Sequence, residues 1–227
     1  MTYEPAVWAA VAMGAVMAYR LRWWNDIPES RLFTLAFGAL SAAYILAVQP
    51  VVEGLNRLSI NVTGSAIALL ASVLLATISF SAFAAVALEI LTGSRHPGRY
   101  VGMAWAVAAA IFVICWIAGD ARYSKALNSF TAVDAPAKVF AITYVTLAIA
   151  TSLTSVAATW RVLQRKGLRP RLRRATVGLF VTAICLLGLA ISLLLNTLIL
   201  DLPSDSAQII EQIWWPPITI ALAIAGL

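Results

Sequence analysis

Charge and reactive side chains are both scarce in this chain. Only 11% of its 227 residues are Asp, Glu, Lys or Arg, against about 25% in an ordinary soluble domain, so water is the wrong solvent for most of its surface. There is one histidine, His96, and there are two cysteines, Cys115 and Cys185. A His-based metal site, a bis-His haem or a Ser-His-Asp triad cannot be assembled from this inventory. His96 reads as a solvated turn residue. The cysteines lie in separate apolar segments without paired spacing and read as buried fillers. No phosphate-cradling glycine loop, CxxC or HExxH pattern occurs. The last apolar segment has no lysine to hold retinal, which argues against a rhodopsin-type photoreceptor. Neither enzymatic activity nor a cofactor is expected.

What the chain does have is apolar length. Hydrophobic residues make up 62% of it. About 20 apolar residues in a helix cross some 30 Å of hydrocarbon, and seven such windows appear: 5–21, 32–52, 65–91, 100–118, 139–163, 175–200 and 207–227. The runs are too long for barrel strands and lack their alternation. Turn and breaker residues separate them, as in Asn25-Asp26-Ile27-Pro28, Gly93-Ser94-Arg95-His96-Pro97-Gly98 and Leu202-Pro203-Ser204. The expectation is an all-α polytopic membrane protein, a single domain over residues 1–227 with about seven transmembrane helices.

The little charge present is uneven. Lys and Arg number 16 and Asp and Glu 10, giving a net charge of +6. No soluble basic domain remains once the apolar windows are set aside, so nucleic-acid binding is not expected. Twelve of the 16 basic residues fall on one side of the seven-helix parse, among them Arg165, Lys166, Arg169, Arg171, Arg173 and Arg174 between the fifth and sixth windows. By the positive-inside bias that side faces the cytoplasm of a plasma-membrane protein and the N-terminus lies outside. The first segment has arginines after it and none before it, the pattern of an uncleaved N-out anchor. The basic loop suits anionic lipid headgroups, with docking of a cytoplasmic partner as the sharper alternative.

Polar groups in or near hydrocarbon are costly and mark candidate sites. Glu89 sits near the inner end of the third helix, within reach of Arg95 or Arg165; it reads either as an ion-paired boundary carboxylate or as a ligand or proton site. Glu53 and Glu211, with Gln208, Gln212 and Asn196, form a second candidate group at the outer mouth. The following Trp214-Trp215-Pro216-Pro217 requires a kinked or restarted helix there, and an interfacial aromatic anchor is the plainer reading of that cluster. Ser65, Ser72 and Ser79 in the third helix, and Thr151, Ser155 and Thr159 in the fifth, recur at helical spacing. They suit close helix packing or a hydrated path.

Thr159-Trp160-Arg161 closing the fifth helix, with Leu168-Arg169-Pro170-Arg171-Leu172-Arg173-Arg174-Ala175 opening the sixth, resembles the actinobacterial seven-helix membrane proteins labelled as candidate transporters. That resemblance implies an N-out topology and a cytoplasmic domain after residue 227; it transfers no functional residues. Helix count and orientation favour a receptor-like sensor or scaffold that signals to such a domain or to a partner protein. A small-solute transporter using the Ser/Thr faces and the membrane carboxylates is the alternative.

Overall fold

The computed structural model describes residues 4–22, 30–93, 96–119, 135–167, 169–195, 213–214, 216–221 and 224. Seven helices carry the fold: α1 (Glu4–Leu21), α2 (Ser30–Ala47), α3 (Gln49–Thr63), α4 (Ala68–Thr92), α5 (His96–Ala118), α6 (Ala135–Leu163) and α7 (Pro170–Leu195). Helical turns at 213–214 and 216–221 follow. Four of these helices, α4 to α7, are long and apolar enough to cross a membrane, and a bent pair, α2 with α3, makes a fifth. Val7–Leu21 is apolar but shorter. The chain is an α-helical, multi-pass membrane protein.

One expected helix is two. The window 32–52 breaks at Val48, whose backbone is extended, and α3 leaves at 79° to the line of α2. Pro50 supplies the reason. It has no N–H to give to Leu46 and its ring collides with that carbonyl, so α2 cannot run through it, whereas the first turn of a new helix accepts proline readily. The stretch between the second and third windows, read from sequence as a loop, is therefore mostly helix.

α3 in turn fixes the start of α4. The residue before α4 is Ile67, which offers no side-chain cap. The buried Asn56 carboxamide oxygen accepts the Ala68 N–H at 2.9 Å, and the Ser59 hydroxyl accepts that of Ile67 at 3.4 Å. Left-handed Gly64, at φ 70°, ends α3 and lets the chain turn back between these contacts. α4 thus begins at Ala68, and Ser65, read from sequence as part of this helix, lies before it. Because a buried orphan N–H has no water to turn to, Asn56→Leu is expected to lower stability by about 1–3 kcal/mol, with Asn56→Asp retaining the acceptor and losing less. Reversible unfolding in detergent measures both.

Two apolar clusters hold the bundle. One joins Met13 of α1, Phe37 and Tyr44 of α2, Val145 of α6, Leu189 of α7 and Ile218 of the C-terminal turns. The other joins Phe80 of α4, Trp105 and Phe112 of α5 and Phe140 of α6, with Cys115 inside it. Small residues let the backbones approach: the Ser41 hydroxyl of α2 donates to the Ala10 carbonyl of α1 at 2.9 Å, and Ser72 of α4 donates to Ala43 of α2 at 3.4 Å. Ser79, fully buried on α4, has no hydrogen-bond partner among the described residues. Removing an unspent hydroxyl leaves nothing orphaned, so Ser79→Ala is expected to be neutral or to stabilise by up to about 1 kcal/mol, measured by the same unfolding assay.

Candidate functional site

The two described carboxylates picked out in the sequence stand apart, as their assignment to separate groups implies. Glu53 is exposed on α3, ahead of α4, while Glu89 is half-buried in the last turns of α4. The 22 residues from Ala68 to Glu89 span about 30 Å of helix, so Glu53 and Glu89 stand at opposite ends of the bundle. Glu211, Gln208, Gln212 and Asn196 lie outside the described residues, as does the side chain of His96. Among the described residues no three His, Cys, Asp or Glu side chains come together.

The basic residues do share one surface. Arg165, Lys166, Arg169, Arg171, Arg173 and Arg174 are all exposed where α6 turns into α7, a turn closed by Gly167 at φ 84° and followed by Pro170 in the first turn of α7. Just inside it, the Arg161 guanidinium on α6 donates to the Leu91 carbonyl at the end of α4. That bond satisfies an orphan helix-end carbonyl and ties the two helices together. Arg20 of α1 stands 5.4 Å from the Phe33 ring centroid of α2, a cation–π contact.

Sequence reading missed a cleft among α2, α4, α6 and α7 with about 710 Å³ of atom-free space, its open mouth included. Aromatic and aliphatic side chains make most of its wall, among them Phe33, Tyr44, Phe80, Phe83 and Leu186, and Ile218 of the C-terminal turns contributes as well. Among the described residues its polar side chains are all hydroxyls: Thr151, Ser152, Ser155 and Thr159 of α6, Thr182 of α7 and Tyr44 of α2. Among the described residues no Asp, Glu, Lys or Arg side chain lines it.

These hydroxyls divide into two kinds. Thr159 donates to the Ser155 carbonyl at 2.6 Å and Thr182 to the Gly178 carbonyl at 2.9 Å, each spent on its own helix. Thr151 and Ser152 are 6% and 3% exposed, and neither they nor Ser155 give a side-chain hydrogen bond to any described residue. The Thr151, Ser155 and Thr159 series visible in the sequence thus faces the cleft. Thr154, which is not part of the lining, back-bonds to the Ala150 carbonyl at 3.0 Å.

The C-terminal turns close one part of the cleft. Ile218 is 0% exposed, and the Tyr44 hydroxyl faces the Thr219 side chain. Four residues earlier than Ile218, the Trp214 ring lies flat against α7 at Gly188, where a Cβ would meet ring carbons at 2.5 Å. Trp214, read from sequence as an interfacial anchor, is half-buried and keyed into a neighbouring helix. Phe33, Phe80, Phe83 and Tyr44 carried no local signal of a shared cavity, because only the packing of α2 on α4 brings them together. Comparison of the chain with protein families, with curated proteins and with solved structures finds no match, so the geometry of this cleft is what bears on function.

Proposed function

We propose that the chain is a seven-pass, N-terminus-out membrane protein of receptor-like or scaffold type, in which the α2–α4–α6–α7 cleft senses a ligand and the C-terminal turns report its occupancy to the cytoplasmic side. The observation that carries this reading is shared lining: Ile218 belongs both to the cleft wall and to the cluster that seats the C-terminal turns. An occupant that moves Ile218 or Tyr44 acts directly on the segment leading out of the bundle. The basic turn between α6 and α7 marks the cytoplasmic face and meets anionic headgroups there. α3, set across the line of α2 with Leu58 and Val62 exposed on one flank, lies along the opposite interface. The resemblance of the α6–α7 passage to actinobacterial seven-helix proteins carries the same topology.

Orientation is tested by Thr2→Cys and Lys166→Cys: the first is labelled by an impermeant maleimide in intact cells, the second only after lysis. Coupling is tested without knowing the ligand. Ala183→Phe places a ring in the cleft, and nitroxides at Gln164 and Ile224, in a chain lacking Cys115 and Cys185, report the position of the C-terminal turns in lipid nanodiscs. A displaced distance distribution supports the sensor, whereas an unchanged one removes it. The unspent hydroxyls of α6 favour one competing reading, transport of a small solute. Proteoliposome flux lowered by Thr151→Val and Ser155→Ala would establish it.

A further inference from the structure

We infer that the occupant of this cleft is an uncharged amphiphile: an apolar chain or ring system bearing one hydroxyl or carbonyl group that pairs with Thr151, Ser152 and Ser155. The inference rests on the proposed sensing site for its place and on the lining for its chemistry.

Each alternative class of ligand leaves something unsatisfied. A charged ligand would meet no Asp, Glu, Lys or Arg among the described residues of the wall and would lose its hydration there without gaining a counter-charge, which is costly in low dielectric. A pure hydrocarbon would suit Phe80, Phe83 and Leu186 but offer nothing to the hydroxyls of Thr151 and Ser152, two residues that are 6% and 3% exposed. A polyol has more donors and acceptors than a few hydroxyls on one helix can meet. An amphiphile with one polar group matches both halves. Thr151, Ser152 and Ser155 fall within about one helical turn, so their hydroxyls converge on one group, each able to donate or accept. The ligand's apolar body then lies along the aromatic wall from α2 and α4.

The test uses the full chain in lipid nanodiscs and three diazirine probes of equal chain length: an alkanol, an alkane and a carboxylate. Labelled residues are mapped by peptide mass spectrometry. The alkanol should label the cleft walls in α4, α6 and α7 about fivefold more than the alkane, the gain expected of one net hydrogen bond, and the carboxylate should label interfacial residues instead. Thr151→Val with Ser155→Ala, which keeps size and helix packing and leaves only the Ser152 hydroxyl of the three, should reduce alkanol labelling well towards the alkane level. Ala183→Phe should remove cleft labelling by both. Equal cleft labelling by alkanol and alkane, preference for the carboxylate, or alkanol labelling indifferent to the loss of the two hydroxyls would each overturn the inference. None of those results alters the distance measurement on Ala183→Phe, so failure of the ligand class and failure of the sensor reading remain separable.

Discussion

Gly188→Ala is expected to push Trp214 off α7 and release the C-terminal turns from the bundle. The added methyl would lie 2.5 Å from one ring carbon and 2.8 and 2.9 Å from two others, far inside van der Waals contact. An indole seated on a helix has no small torsion that clears the overlap. Overpacking of this kind costs about 1–3 kcal/mol where the neighbour stays, and here the cheaper response is for the ring to leave. Gly38 makes a useful contrast. A Cβ there would meet the Met17 sulfur at 2.8 Å, but a thioether at the end of a flexible chain steps aside, so Gly38→Ala should cost much less. Trp214 should become more accessible to a soluble quencher in Gly188→Ala, with a lower unfolding midpoint. The double variant with Trp214→Ala should recover most of that midpoint. Loss of stability that persisted in the double variant would place the strain elsewhere.

Phe112→Ala should be the most damaging truncation in the α4–α5–α6 cluster. The Phe112 ring is 0% exposed and packs at 4.9 Å from the Phe140 centroid and 6.0 Å from that of Tyr144. In a membrane the transfer of apolar surface from lipid to protein contributes little, because lipid tails are as apolar as the protein interior. What is lost is packing. Roughly 100 Å³ of side chain left empty, at about 24 cal/mol per Å³, gives a cost of roughly 2.4 kcal/mol, below the 3–5 typical of soluble cores. Phe112→Leu should recover over half of it. Unfolding in mixed micelles measures the series, and a Phe112→Ala variant as stable as the parent would show that α5 does not seat on α4 and α6 through this ring.

The membrane class and most helix positions were legible because they depend on runs of residues close in sequence. α4, α5 and α6 each fall over an expected window with ends shifted by a few residues. Pro50 was visible and its consequence underestimated: one missing N–H redirects α2 into α3 at 79°. The Asn56 cap on α4 was not legible, since it joins positions 12 apart across a turn whose geometry the sequence does not advertise.

For the site, the sequence placed its carboxylates in two separate groups, and Glu211 of the outer one lies outside the described residues. Glu53 and Glu89 sit at opposite ends of the bundle, and charge near an interface is common for reasons of solvation alone. The Thr151, Ser155 and Thr159 spacing pointed at the cleft but was equally consistent with close packing, and only the position of α7 and Ile218 decides between them.

Native mass spectrometry of the intact chain released from its own membranes addresses the cleft most directly. A site built to hold one uncharged amphiphile should retain a neutral adduct at one per chain, present in the parent protein, weakened in Thr151→Val with Ser155→Ala, and absent in Ala183→Phe. An adduct retained equally by Ala183→Phe, or parent protein that carries none while its folded charge states persist, would contradict a ligand site in this cleft.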